Sequence, residues 1–271
     1  MRKLILTVLV VVALWSGVRL YTTANPPFGG KTVVHILAMG TDAGTPARTD
    51  TLIWLRVRVQ PPYSCLAVWI PRDTKVTIPG HRGASKINAA HVFGGPSLTV
   101  KTVKETFSVP VAYYVITRAQ DEVLAKVVDA VGGVPMYVPV RMRYRDNWQN
   151  LSIDLKPGWQ VLDGKGTQGF VRWRGRTGDI GRIQRQQALL KSLANQCAQP
   201  KTITKLPQLA QIVTKECQTD IGYRDLIALF FALKHAHDAQ AIRFARLPGY
   251  PRYERGVSFY FADKRWLAQA R

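Results

Sequence analysis

Short apolar runs of strand length, each stopping at a cluster of charged or small polar residues, alternate along this chain with segments of helical period. That interleaving predicts one α/β domain with helices packed on a central sheet and polar clusters gathered at strand ends. Val33–Met39 is expected as a buried strand ending at Gly40-Thr41-Asp42. Thr51–Val59 alternates, with Arg56 and Arg58 on one face and Leu55, Val57 and Val59 on the other, as a half-exposed strand does. Leu66–Ile70 is a third strand, stopped by Pro71, and further strands are expected at Val111–Thr117, Pro135–Val140, Leu151–Leu155, Ile242–Leu247 and Val257–Phe261. Helices are expected at Ser97–Phe107, at Asp121–Val131 before Gly132-Gly133, at Tyr223–His235 as a buried helix, and at Ile180–Asn195. In the last, Asp179 is placed to cap, and Ile183, Gln187, Leu190 and Ala194 form the core stripe.

With 271 residues the chain is long enough for a substantial core. Lys plus Arg number 38 against 17 Asp plus Glu, a net charge of +21. Such a chain seeks polyanions: nucleic acid, anionic lipid or phosphorylated substrates. Arg2 and Lys3 precede an apolar run from Leu4 to Val18. It reads either as a signal anchor with its cations inside or as a cleaved signal peptide with Thr22 and Ala24 before the cut. Both export the rest of the chain, which argues against nucleic acid as the partner. Pro26, Pro27, Gly29 and Gly30 mark residues 21–31 as a linker. The three cysteines fit no zinc spacing; Cys65 reads as a small buried residue, and Cys197 with Cys217 as a disulfide candidate in an oxidising compartment.

Four polar clusters carry the chemistry. They are Gly40-Thr41-Asp42 with Arg48-Thr49-Asp50-Thr51; Pro71-Arg72-Asp73-Thr74; Ser85-Lys86-Ile87-Asn88; and Val171-Arg172-Trp173-Arg174 with the segment 178–187. Arginine forks bind phosphate oxygens bidentately. In an extended strand Arg172 and Arg174 point the same way, and Arg182, Arg185 and Gln186 share one face of the first helical turns. Asp42 and Asp50 suit a hard cation. Taken singly, a strand arginine pair is more often solvated surface, and an aspartate beside an arginine is more often a salt bridge. HExxH, Walker and G-x-S-x-G motifs are absent, and no histidine has a catalytic partner at recognisable spacing.

The runs Arg48-Thr-Asp-Thr, Ile70-Pro-Arg-Asp-Thr, Lys86-Ile-Asn-Ala-Ala, Asp129-Ala-Val-Gly-Gly-Val, Leu162-Asp-Gly, Val171-Arg-Trp-Arg and Gly178-Asp-Ile-Gly-Arg-Ile-Gln-Arg-Gln-Gln stand in the order found in the LytR-CpsA-Psr family of cell-envelope phosphotransferases, which the chain resembles from about Val33 to Leu193. The resemblance implies a cytoplasmic tail at 1–3, a transmembrane anchor at 4–20 and an extracytoplasmic catalytic domain at 32–271, built on a mixed, largely antiparallel sheet flanked by helices. It implies transfer of a glycopolymer from polyprenyl pyrophosphate to peptidoglycan, with magnesium or manganese, by a single-pass protein of the cell membrane. By resemblance Asp42 and Asp50 hold the metal, and Arg48, Arg72, Lys86, Arg172, Arg174, Arg182, Arg185 and Gln186 bind pyrophosphate. Asp73 is the candidate base, beside Arg72, Arg48 and Asp50. A non-catalytic lipid-binding protein is the alternative. The loop after Asp42 is shorter than the family often has, and the basic run Arg141-Met-Arg-Tyr-Arg is either a rim facing the polymer or plain surface.

Overall fold

The computed structural model describes residues 25–41, 47–117, 120–146, 151–173 and 178–270. The chain divides into two units, Met1–Thr32 and Val33–Arg271. In the first, Pro27–Gly30 forms a 3-10 turn. The expected anchor at 4–20 lies outside the described residues, among which no helix is long and apolar enough to cross a membrane.

The second unit is built on a six-stranded sheet. Numbered in chain order, β1 (Val33–Thr41), β2 (Thr49–Arg58) and β3 (Ser64–Ile70) form an antiparallel meander at its centre. β6 (Tyr113–Thr117) lies parallel to β1, and β12 (Ile242–Arg246) parallel to β3. β11 (Cys217–Thr219) adds to β6 antiparallel, so the sheet is mixed. β2 is not half-exposed as its alternation suggests. It is central, and Trp54 and Val57 are fully buried, with the Trp54 indole donating to Pro110 O at 2.9 Å.

Each sheet face meets a different layer. Leu37, Leu52, Trp54, Val68 and Ile70 pack against α1 (Ala89–Phe107) and α8 (Lys264–Gln269). Ala38, Ile53, Leu55, Ala67 and Trp69 turn to α4 (Gly178–Ala198), which brings Ile183 and Leu190. A second cluster joins α2 (Gln120–Val131), α3 (Gly164–Arg172), α4 and α6 (Leu206–Glu216) to two nested hairpins, β7 (Val134–Val138) with β10 (Gly158–Leu162), and β8 (Met142–Asp146) with β9 (Leu151–Leu155). The short α5 (Pro200–Ile203) leads into α6, and α7 (Tyr223–Asp238) buries one stripe, Leu226, Leu229, Ala232 and Ala236, while Tyr223 and Phe231 stay exposed. Two small hairpins, β4 (Lys75–Thr77) with β5 (Ala84–Lys86) and β13 (Gly249–Glu254) with β14 (Val257–Ala262), flank the ends of β2 and β3.

Several expectations are corrected. The helix expected at Ser97 already begins at Ala89 and kinks at Gly94-Gly95, because Pro96 has no N–H to continue the first ladder and starts a second helix instead. Val171-Arg172 is no strand: it ends α3, whose N-cap Asp163 accepts from Gly166 N at 2.7 Å. Three glycines disguise that helix. Gly164 is there for contact, since a Cβ on it would lie 2.6 Å from Ala125 O. Arg172 therefore does not alternate with a strand neighbour, and Arg174 lies outside the described residues. Helix α4 begins at Gly178, which puts Asp179 inside the first turn and not at the cap. Cys65, Cys197 and Cys217 are all free thiols, so the structure does not contain the disulfide considered for the last two.

Candidate functional site: a charged pocket at the mouth of an apolar cavity

The helix-facing side of the sheet carries small residues at successive strands: Ala38 and Gly40 on β1, Thr51 on β2, Cys65 and Ala67 on β3. Large side chains from α2, α4 and α7, among them Leu124, Leu190 and Phe230, stand opposite and do not fill the space. An apolar cavity of about 460 Å³ results, within the range of roughly 300–1,000 Å³ usual for small-molecule sites. All three cysteines line it. Burial pushes the Cys65 thiol up to about 12 and those of Cys197 and Cys217 to about 11, as a medium hostile to charge does.

A smaller pocket of about 280 Å³ adjoins it, lined by Asp50, Arg72, Asp73 and Arg246 with Tyr260 and the β13–β14 hairpin. Strand register builds it. Leu52 pairs with Ile70, and continuing that antiparallel ladder by two residues sets Asp50 opposite Arg72. On its other side β2 pairs Thr51 with Gly40 and Thr49 with Thr41, so the ladder skips Asp50. Bulges of this kind re-aim a side chain at a sheet end. Arg72 Nη1 donates to both oxygens of Asp50 at 3.0 Å. Asp73 takes Lys86 Nζ at 2.8 Å and lies 4.0 Å from Arg72 Nε. The backbone of this turn is pinned, as Asn88 N donates to Arg72 O at 3.2 Å and Tyr260 N to Asp73 O at 2.8 Å.

Thr51, Trp69 and Gln186 line both spaces. The Gln186 amide donates to Thr51 Oγ1 at 3.3 Å, so these two side chains stand where the polar pocket meets the apolar cavity between α4 and β2. The combination suits an amphiphile with an anionic head and a long apolar tail.

Of the residues singled out from sequence, Asp50, Arg72, Asp73 and Gln186 meet here, and Lys86 joins through Asp73. Arg48 is exposed just before β2 and does not line the pocket. Arg185 is buried; its guanidinium lies over the Trp173 ring at 5.4 Å and donates to Trp173 O, which ties α4 to the end of α3. Asp42 and Arg174 lie outside the described residues, as do the side chains of Asp179 and Arg182. Arg246, which sequence reasoning passed over, lines the pocket with its guanidinium 6.0 Å from the Tyr260 ring. Its sequence signal is a cation at the end of the short alternating run Ile242-Arg243-Phe244-Ala245.

Among the described residues there is no group of three or more His, Cys, Asp or Glu able to hold a metal. Asp50 is partly exposed and its two oxygens accept from Arg72, so a hard cation there would share this one carboxylate and complete its shell from substrate oxygens and water.

A family profile described as the LytR_cpsA_psr family matches residues 23–271. A protein of Oceanobacillus iheyensis named polyisoprenyl-teichoic acid--peptidoglycan teichoic acid transferase TagU is 32% identical over 252 residues, 88% of this chain and 74% of that one. The Staphylococcus aureus regulatory protein MsrR is 30% identical over 80% of this chain and 66% of its own. Among solved structures, B. subtilis TagV superposes with a TM-score of 0.74 at 25% identity, covering 89% of this chain and 97% of that one. TagT bound to LIIa-WTA superposes with a TM-score of 0.72 at 27% identity, covering 89% of each.

Proposed function

The chain belongs to the LytR-CpsA-Psr family, and from that premise we propose that it transfers a glycopolymer from a polyprenyl pyrophosphate carrier to a hydroxyl of peptidoglycan or another cell-wall acceptor. The observation that carries this reading is the junction at Thr51 and Gln186, where a cation-bearing pocket adjoins an apolar cavity and shares its lining. The names of the TagU relatives and of the TagT complex support the same substrate class. The isoprenoid tail fills the cavity and the pyrophosphate takes Arg72 and Arg246, with Asp50 holding the Arg72 fork in place.

In the step itself the acceptor oxygen bonds to the phosphorus next to the sugar, and the bond from that phosphorus to the bridging oxygen breaks. The acceptor proton passes to Asp73, which Lys86 positions, and polyprenyl phosphate leaves with the bridging oxygen. Negative charge grows on the phosphoryl and bridging oxygens, where the arginine forks stabilise it most. A magnesium or manganese ion on Asp50 and Asp42 supplies further neutralisation of the pyrophosphate when bound. The reading sets residues 32–271 outside the cell, anchored by a single pass at 4–20, with no nucleic-acid partner.

The test gives the full chain, in detergent or vesicles, a polyprenyl pyrophosphate-linked polymer and insoluble peptidoglycan. Polymer sedimenting with the peptidoglycan, with release of one polyprenyl phosphate per polymer, is expected. Tight binding of the lipid with no release makes the protein a carrier-binding protein instead.

A further inference from the structure

The outer face of the nested hairpins lines neither the charged pocket nor the apolar cavity, and its composition is unusual. In β7 the buried residues Val134, Met136 and Val138 alternate with exposed Pro135 and Tyr137, and Pro139 and Val140 after them are exposed as well. Trp159 pairs with Tyr137 across the ladder and Val161 with Pro135, so the four share one face. Trp159 is 76% exposed, Val161 68% and Tyr137 54%, and the two rings lie 5.7 Å apart. An antiparallel pair with one face on a core carries polar residues on the other. This pair instead carries Pro135, Tyr137, Trp159 and Val161 on its outer face.

Its neighbour explains what covers it. β8 and β9 lay Met142, Ile153 and Leu155 on the same cluster as β7 and β10, so their opposite face looks out on the same side. That face bears Arg143 and Arg145, with Arg141 just before them, all exposed. Asp154 opposes Arg143 in the ladder and pairs with Arg141. A glycan would want hydrogen-bonding groups around the aromatic rings. Here the residues that share the face with the two rings are Val161 and Pro135, and Gln160, paired with Met136, lies on the opposite face.

We propose that this face docks on an anionic lipid bilayer. Tyr137, Trp159 and Val161 enter the interfacial region, where paired aromatic residues are favoured. Arg141, Arg143 and Arg145 lie over the phosphates, and the attraction falls with salt. The inference stands apart from the transfer reaction and holds whatever the cavity carries.

The test is a depth measurement at one side chain, and so is indifferent to any other hold the chain has on a vesicle. Full-length Val161→Cys carries a nitroxide, with Lys101→Cys on α1 as the control; both positions are exposed, and the native thiols line the interior cavity. On phosphatidylglycerol vesicles the label at 161 is expected to lose collisions with an aqueous nickel chelate and gain them with oxygen, while the label at 101 stays aqueous. Phosphatidylcholine vesicles, or Gln at 141, 143 and 145 together, should reverse most of that change. A label at 161 that stays aqueous on anionic vesicles overturns the proposal. So does protection without lipid, whether from soluble glycan strands or from raising the protein concentration.

Discussion

Gln186 Nε2 donates to Thr51 Oγ1 at 3.3 Å across the gap between α4 and β2, and both residues border the charged pocket and the apolar cavity alike. The bond is long, so its contribution to stability is below about 1 kcal/mol. The place matters more than the bond. Gln186→Ala should leave the melting temperature nearly unchanged, whereas Gln186→Trp should stop transfer by filling the passage between head and tail sites. A Gln186→Trp variant that binds and turns over lipid at the wild-type rate removes the junction from the mechanism.

Arg72 is the cation that both the register and the pocket single out. Arg72→Ala removes a charged hydrogen-bonding fork and should cost about 2–4 kcal/mol of transition-state stabilisation, roughly 30- to 1000-fold in rate. Arg72→Lys restores charge without the planar fork and should recover only part. The Asp50 carboxylate left behind is 23% exposed, so water reaches it and the fold should survive. Initial rates on protein of unchanged circular dichroism decide the matter.

The metal proposal makes a separate demand. Turnover should fall with excess chelator and return with magnesium or manganese. Asp50→Asn should raise the metal concentration needed for half-maximal rate while lipid binding through the arginines persists. Full turnover in excess chelator would leave Asp50 only as the holder of Arg72.

Filling the cavity separates a functional space from a packing defect. Ala38→Leu or Ala67→Leu adds three carbons to an apolar lining. If they are accommodated, each should stabilise by about 1–2 kcal/mol and weaken lipid binding at the same time. Denaturant midpoints and lipid retention, measured on the same variants, must move in opposite directions.

His35 supplies a pH dependence. Burial, and then the charge of Arg56, holds it below its ordinary 6.5, and it stacks on Trp54 with ring centroids 5.5 Å apart. The unfolded chain therefore takes up a proton that the folded chain refuses. This contribution to stability is full above 6.5 and is lost as pH falls through the unfolded value toward the folded one. The melting temperature should drop between about pH 7.5 and about pH 5.5, and less so in His35→Leu.

How far sequence reveals a feature depends on how local its causes are. β1, β2 and β3 announce themselves because their runs are β-rich and bounded, and clusters fixed to strand ends, such as Asp50 and Arg72, come with them. Helix α3 hides behind its three glycines, of which Gly164 lies close against α2 and Gly169 against Ile153 of β9. The stripe expected on α4 is incomplete because that helix wedges between two clusters: Ile183 and Leu190 serve one, while Leu189, 1% exposed, serves the other. The cavity is invisible in any one segment, since it arises from small residues on three separate strands facing helices far along the chain. Arg246 is likewise a single cation that acquires meaning only when β12 lies beside β3.

The pairing of Asp50 with Arg72 also has a consequence for the order of assembly. These residues close a hairpin whose strands are joined by residues 59–63 alone, and contacts so near in sequence form early during folding. Lys86 reaches Asp73 over a similarly short span. The cavity wall at Phe244, and Arg246 beside it, arrive only when the last part of the chain has been made and docked. The growing chain thus has the Arg72–Asp50 pair in place before the apolar cavity has its full lining, and that space is completed only by the C-terminal strands.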